Sequence, residues 1–427
     1  MRRTDPARPD PRSEGRRSED ERGGYSRERD PQALPQSAPR PLQARKGRGA
    51  VSNLQGRFAR DEREAFDDGW SGEDGGADDA PGRARAGGAV AAVQAGAEDA
   101  SAAAPRLVTH VTEELARSVL TRNASPDIPF DVSLNPYRGC EHGCIYCFAR
   151  PTHAYLDLSP GLDFETRLYA KVNAAEQLRK TLSRPGYRCE TIALGVNTDA
   201  YQPIERTARV TREVLEVLHD CHHPVALITK SSLIERDIDL LAPMAARRLA
   251  VAAVTLTTLD HDIARTLEPR AAAPARRLRT IRTLTDAGIP VGVSVAPVIP
   301  FITEPDLERV LEAAREAGAV YANYIVLRLP WEVGPLFEEW LQTHFPDRAE
   351  RVMNRVREMR GGKDYDANFA TRMRGSGIWA DLMRQRFYKA AQRLGFRYHR
   401  FELDNSQFQP PAPPPSAAPD ARQGSLF

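Results

Sequence analysis

From about residue 106 onward, the apolar positions follow two alternating patterns. Short continuous apolar runs occur at 191–196, 225–228, 250–256, 291–295 and 324–327, with another near 132–134. Between them, apolar residues recur at helical spacing: Leu168, Val172, Ala175, Leu178 and Leu182; then Val210, Val214, Leu215 and Leu218; then Leu307, Val310, Leu311 and Ala314. Runs that are apolar at every position, rather than at alternate ones, belong to strands covered on both faces. Six such strands alternating with helices predict an α/β fold with a parallel sheet under a layer of helices. The pattern does not separate a barrel from an open sheet.

The repeats occupy 106–331. Beyond them, 332–408 reads as a helical extension carrying Arg348, Arg351, Arg355, Arg357, Arg360, Arg372 and Arg374. Residues 409–427 are a Pro-rich tail ending in Ser425-Leu426-Phe427. At the other end, residues 1–105 hold only four aromatics, Tyr25, Phe58, Phe66 and Trp70. Such a segment buries too little apolar surface to offset about 1–2 kcal/mol of backbone entropy per residue, so disorder is expected. The stretch 46–70 departs from this. It carries Lys46-Gly47-Arg48-Gly49-Ala50, Gly56-Arg57-Phe58 and Trp70, and reads either as an extended arm docked on the main domain or as a plain linker.

Composition excludes some classes and favours none strongly. The 427 residues include 60 Lys and Arg against 58 Asp and Glu, a net charge of +2. Residues 1–60 are basic, 15 against 8, and 61–105 acidic, 3 against 11. The remainder is nearly balanced and gives no strong nucleic-acid signature. No apolar run approaches the ~18 residues of a membrane span. The Arg/Asp/Pro-rich start lacks the apolar core of a secretory signal. A soluble cytoplasmic protein is the expectation.

Three of the five cysteines crowd into eight positions. Cys140, Cys144 and Cys147 stand in Asn135-Pro-Tyr-Arg-Gly-Cys-Glu-His-Gly-Cys-Ile-Tyr-Cys-Phe148, directly after the first predicted strand. Without export, crowded thiols read as a metal site rather than a disulfide framework. Three thiolates on a short loop can hold three irons of a [4Fe–4S] cube and leave the fourth open. The methionine end of S-adenosylmethionine can chelate that open iron, and one electron then releases a 5′-deoxyadenosyl radical. Two alternatives remain: a zinc site completed by His142, His153, Cys189 or Cys221, and three unrelated buried cysteines.

The C-x3-C-x2-C spacing with Tyr146 before the last Cys resembles the radical S-adenosylmethionine (SAM) superfamily. The run 135–149, followed by Asp163-Phe-Glu-Thr-Arg167, is similar to the branch that contains spore photoproduct lyase and uncharacterised bacterial relatives. The similarity covers roughly 125–335, and the 46–70 arm looks like a feature of one subgroup. It implies a partial (β/α)6 TIM-like barrel with a [4Fe–4S] cluster and SAM at the strand C-terminal mouth. Cys140, Cys144 and Cys147 would be the iron ligands, with an electron donor such as flavodoxin or ferredoxin.

Cofactor contacts are then expected from Tyr146 and from polar residues ending later strands: Asn197, Thr198 and Asp199; Lys230 and Ser231; Thr255 and Thr257. Lys230 resembles the family lysine that meets the methionine carboxylate. Helix capping is the competing role for Thr198, Asp199 and Ser231. Arg138 is expected to support the cluster or pair with Glu165, and Glu268-Pro269-Arg270 resembles a segment at the substrate side. Catalytic residues beyond these are not identified. Two departures stand out. The usual Gly-Gly-Glu segment is replaced by 195–199. The Cys that returns a hydrogen atom in spore photoproduct lyase is absent from Val196-Asn197-Thr198, and only by conjecture would Tyr201 or Tyr324 take part in a relay.

The last five residues, Gln423-Gly-Ser-Leu426-Phe427, resemble peptides that dock into the bacterial sliding clamp. Gln423 would make polar contacts while Leu426 and Phe427 fill an apolar pocket. Clamp recruitment favours a DNA substrate, in repair or modification. The alternatives are a radical SAM enzyme acting on RNA, protein or a small molecule, and a non-catalytic iron–sulfur protein recruited to the clamp.

Overall fold

The computed structural model describes residues 44–58, 107–397 and 401–411. Most of the N-terminal segment, including 59–70 of the candidate arm, and the tail peptide 423–427 lie outside them. Ten strands form two sheets. They are β1 (His110–Glu114), β2 (Leu120–Arg122), β3 (Val132–Leu134), β4 (Tyr137–Arg138), β5 (Arg167–Lys171), β6 (Ile192–Leu194), β7 (Val225–Thr229), β8 (Ala250–Thr255), β9 (Val291–Val298) and β10 (Tyr321–Val326).

The larger sheet runs β10-β9-β8-β7-β6-β3-β2. Its six strands from β3 to β10 pair in parallel, and only β2 is antiparallel. These are the six strands expected from the apolar runs. The two edges, β10 and β2, do not pair, so the barrel is partial and open on one side.

The helices are α1 (Leu162–Thr166), α2 (Ala174–Leu182), α3 (Glu205–Ala208), α4 (Val210–Asp220), α5 (Ile238–Ala246), α6 (His261–Leu267), α7 (Pro274–Asp286) and α8 (Leu307–Glu316), followed by α9 (Val333–His344), α10 (Pro346–Glu358) and α11 (Gly377–Arg393). Their apolar stripes explain the layer. α4 buries Val210, Val214, Leu215 and Leu218, and α8 buries Leu307, Val310, Leu311 and Ala314, as the spacing requires. Strand β6 is buried at all three positions, the signature of a strand covered on both faces.

One local reading is corrected. Leu168 lies in β5 and Val172 just after it, not in a helix; α2 begins at Ala174. Strand β5 is the centre of a small sheet, β1-β5-β4. Its spacing happened to continue the helical period of α2, and its partner β1 is polar and exposed, so neither announced itself. Asp260 caps α6 by accepting from the amides of Asp262 and Ile263 at 2.8 and 3.0 Å.

Apolar side chains fall into two main clusters. One fills the barrel and the space beneath its helices. The other lies under the cysteine loop and joins Ile145 to Leu327, Phe337, Trp340 and Val352, with Ala50 of the arm inside it. No helix among the described residues is long and apolar enough to cross a membrane.

Candidate active site

The site is assembled from segments that leave the C-terminal ends of successive parallel strands, where barrel sites are built. They are 135–147 after β3, 195–202 after β6, 230–231 after β7 and 255–258 at the end of β8. Two glycines permit the turns. Gly139 has φ +73°, and a Cβ there would stand 2.6 Å from Leu168 Cδ2 and 2.9 Å from the Phe164 oxygen. Gly195 has φ +83°, with a Cβ 2.7 Å from the Ile228 oxygen. Neither position tolerates a side chain.

The cysteine loop is held from three directions. The Cys140 amide donates to the Phe164 carbonyl at 2.9 Å, and the Ile145 amide to Leu267 at 3.1 Å. Buried Gln202 spans Cys140: its Nε2 donates to the Gly139 carbonyl at 3.1 Å, and its Oε1 accepts from the Glu141 amide at 2.9 Å. Fully buried Arg150 donates to the carbonyls of Gly143 (3.1 Å) and Cys144 (2.9 Å), and to Pro160 and Gly161. Its charge is met by Glu165, also fully buried, at 2.5 Å.

Cys140 and Cys144 are buried and Cys147 partly so, and all are free thiols. Burial, then Asp199 and the neighbouring thiols, pushes the Cys140 thiol well above its ordinary value; the His142 amide pulls weakly the other way. Burial likewise pushes Cys144 up to about 12, with Lys230 opposing. Cys140 and Cys144 so placed ionise only when a strong positive charge replaces their protons. An iron cluster supplies that charge, and the donor set fits one.

The candidate zinc completions are placed otherwise. His153 Nε2 lies 2.9 Å from the Arg167 oxygen, and His142 Nδ1 is 3.3 Å from Asp199 Oδ2 without hydrogen-bond alignment. Cys221 belongs to the barrel core. Among the described residues, no three His, Cys, Asp or Glu side chains converge on a single-ion site.

The other candidate residues divide into two groups. Three, Thr198, Asp199 and Ser231, have side chains committed to the protein itself, while Asn197 and Thr255 are held only through their backbone. Thr198 Oγ1 donates to the Tyr137 carbonyl at 2.9 Å. Asp199 accepts from the Tyr201 amide, Thr229 Oγ1 and the Lys230 amide at 2.9, 2.7 and 2.8 Å. It is ionised despite burial because His142, Thr229 and Lys230 hold its pKa down at about 2. Ser231 caps the short helix after β7, so its capping role is the one realised. The Asn197 amide is tied to Asn135 Oδ1 at 2.9 Å. The Thr255 carbonyl accepts from Arg277 at 3.0 Å.

In the second group, Thr257 and Lys230 have polar atoms without protein partners among the described residues. Thr257 Oγ1 is buried with no partner. Lys230 lies with its Nζ 5.8 Å from the Tyr146 ring and makes no ion pair among the described residues. Burial works against its charge, but Cys144, Glu268 and Asp199 outweigh burial and raise its pKa. The Tyr146 hydroxyl donates to Glu268, whose other oxygen takes Arg277. Lys230, half-buried and near Cys144, and the unpartnered Thr257 hydroxyl just past β8 are the polar groups left free to meet a carboxylate-bearing, polar cofactor.

Other expectations are corrected. Arg138 pairs with Glu114 at 2.7 Å, on the exposed side of the small sheet, and not with Glu165. Arg270 reaches Glu141 at 3.2 Å, so 268–270 buttresses the loop. The Tyr201 and Tyr324 hydroxyls are buried without hydrogen-bond partners, and Tyr324 packs on Phe387 of α11. Most arginines of 348–374 are spent locally: Arg355 on Glu358, Arg357 on Glu338 and Asp364, Arg372 on Asp127, and Arg360 on buried carbonyls. Arg150, Gln202 and Arg277 were missed. Each acts on partners that nothing in the local pattern identifies.

The radical SAM superfamily model matches residues 134–314. Over 243 residues the chain is 38% identical to an uncharacterised protein of Mycobacterium tuberculosis, covering 56% of this chain and 71% of the relative. The chain belongs to the radical SAM superfamily. It is also 23% identical to an uncharacterised protein of Methanocaldococcus jannaschii, over 52% of this chain and 80% of the relative. A solved spore photoproduct lyase mutant aligns at 13% identity and TM-score 0.45, over 67% of this chain and 80% of that one.

The radical SAM enzyme uses a [4Fe–4S] cluster and SAM. When bound, these supply a 5′-deoxyadenosyl radical, and the protein's part is placement. In this chain Cys140, Cys144 and Cys147 would hold the cluster. Lys230 and Thr257 would meet the polar ends of SAM, and Tyr146 is held in orientation by Glu268. The Arg150 and Gln202 bonds fix the carbonyls of Gly139, Gly143 and Cys144 in place.

Proposed function

We propose that this radical SAM enzyme acts on DNA, in repair or modification, and is brought there by its C-terminal peptide. The observation that carries the reading is Arg328. It follows β10 at the mouth, and its guanidinium lies 5.5 Å from the ring of Phe148, the residue after Cys147. Its Nη1 meets only the Met373 sulfur at 3.3 Å, and its Nε has no partner. Phe148 is 45% exposed. A cation without a carboxylate partner among the described residues, beside an exposed ring next to the cluster loop, suits a phosphate and an unstacked base.

The clamp-like Gln423, Leu426 and Phe427 supply the second support, and a flavodoxin or ferredoxin the electron. The test is 5′-deoxyadenosine release by the reconstituted, reduced enzyme. It should rise with damaged duplex DNA and not with RNA or peptide; stimulation by RNA or peptide alone would refute the DNA reading. Arg328→Ala should weaken oligonucleotide binding about tenfold and lower the salt slope by about 1. Deleting 423–427 should abolish clamp binding and leave cofactor cleavage intact.

A further inference from the structure

We infer that residues 48–57 are a clasp that holds the cysteine loop in its cluster-binding shape, with Arg48 and Gly49 as positioning residues. The Arg150–Glu165 pair that fixes the loop's carbonyls is completed by this segment. Glu165 Oε2 accepts from the Gly49 amide at 3.0 Å, and Oε1 from the Ala50 amide at 2.9 Å. Arg48 donates to the Glu165 carbonyl at 2.8 Å, and to the Leu107 carbonyl and Thr109 Oγ1 at 2.7 and 3.0 Å. Thr109 in turn donates to Glu141, inside the loop, at 2.7 Å. The clasp thus reaches the loop by two separate routes.

Gly49 carries the steric part. Its φ is not in the left-handed region, so the glycine is not there for backbone freedom. A Cβ would overlap the Gly143 carbonyl oxygen, directly before Cys144 in the C-x3-C spacing. The chain therefore lies directly on the loop backbone and covers that side of the site from water.

The clasp is anchored beyond the loop. Ala50 is fully buried. Ser52 Oγ donates to Glu339 of α9 at 2.5 Å. Asn53 and Asp163 exchange two bonds, at 3.2 and 3.1 Å. Arg57 pairs with Glu332 at 2.7 Å, its guanidinium 4.4 Å from the Trp331 ring and 4.7 Å from that of Phe58. The segment ties the cysteine loop to the chain that follows β10. No clasp residue enters the barrel core, so loosening the clasp should affect the cluster before it affects the barrel.

The experiment compares wild type, Gly49→Val, Arg48→Met and the exposed-site control Lys46→Ala as full-length, anaerobically reconstituted proteins. Far-UV circular dichroism and urea unfolding report the barrel. Iron content, the reduced-cluster paramagnetic resonance signal and the rate of cluster loss to a chelator report the loop. Gly49→Val and Arg48→Met should keep the barrel transition and lose the cluster about tenfold faster or more, while Lys46→Ala matches wild type. Wild-type cluster lifetime in Gly49→Val would overturn the inference.

Hydrogen exchange on the wild type gives a test independent of any variant. Coupling is reciprocal, so binding the cluster should slow exchange in peptides covering 48–57 together with those covering 139–147. Exchange in 48–57 that is indifferent to the cluster would overturn it equally. Neither readout depends on the substrate.

Discussion

Glu268→Gln keeps the side chain's size but removes the charge against which Arg277 is buried. Arg277 is 1% exposed and has two other acceptors, the Ala272 and Thr255 carbonyls at 2.6 and 3.0 Å. Those are neutral and cannot replace a carboxylate. Removing one partner of a buried pair costs about 3–5 kcal/mol, because it leaves the other charge uncompensated. The two surviving hydrogen bonds favour the lower end, about 3 kcal/mol, or about a hundredfold in the folding equilibrium. With m near 1–3 kcal/mol/M, the urea midpoint should fall by about 1 M or more.

The pH dependence gives a second check. Burial alone would raise the Glu268 pKa, but Arg277, Lys230 and Tyr146 together bring it below its ordinary value. A carboxyl depressed by folding contributes stability above its unfolded pKa and loses it as pH falls through the folded value. The gap between wild type and variant should therefore be full at pH 7 and close in acid. Glu268→Gln with Arg277→Met should recover much of the loss, since the pair is then removed together. A single-variant cost below about 1 kcal/mol, or a gap that persists unchanged in acid, would refute the reasoning.

Other expectations follow from the same geometry. Gln202→Met leaves the Gly139 carbonyl and the Glu141 amide without partners, at about 1–3 kcal/mol each; urea unfolding and reduced iron retention would register it. Gly139→Ala forces a left-handed side chain at about 1–2 kcal/mol, in addition to its clash with Leu168 and Phe164; iron per chain after reconstitution should drop. His223 is buried, its Nε2 2.9 Å from the Tyr187 hydroxyl, and burial pulls its pKa down to about 4. Its contribution, roughly 3 kcal/mol at most, is present above the unfolded value near 6.5 and lost as pH falls toward 4. His223→Gln should flatten the thermal-stability profile across that window.

The parts of the site that were legible are local ones. The C-x3-C-x2-C spacing places three thiols on one turn whatever the rest of the chain does, and Lys230 and Thr257 follow strands whose continuous apolar runs mark their ends. Thr198, Asp199 and Ser231 were visible as polar strand ends. Their commitment to Tyr137, Thr229 and the cap of the following helix depended on which backbone groups lay opposite.

The sequence alone determined the six parallel strands, the helices that cover them and the position of the thiols, because periodicity and short spacing act within a few residues. Tertiary structure decided what holds that loop. Gly49 meets Glu165 across 116 residues, Glu141 meets Gln202 across 61, and Tyr146 meets Glu268 across 122. Buried polar groups must find partners, but a sequence records only that each needs one. Folding brings the partners together, and at this mouth it joins an N-terminal arm, a cysteine loop and the ends of successive strands into one site.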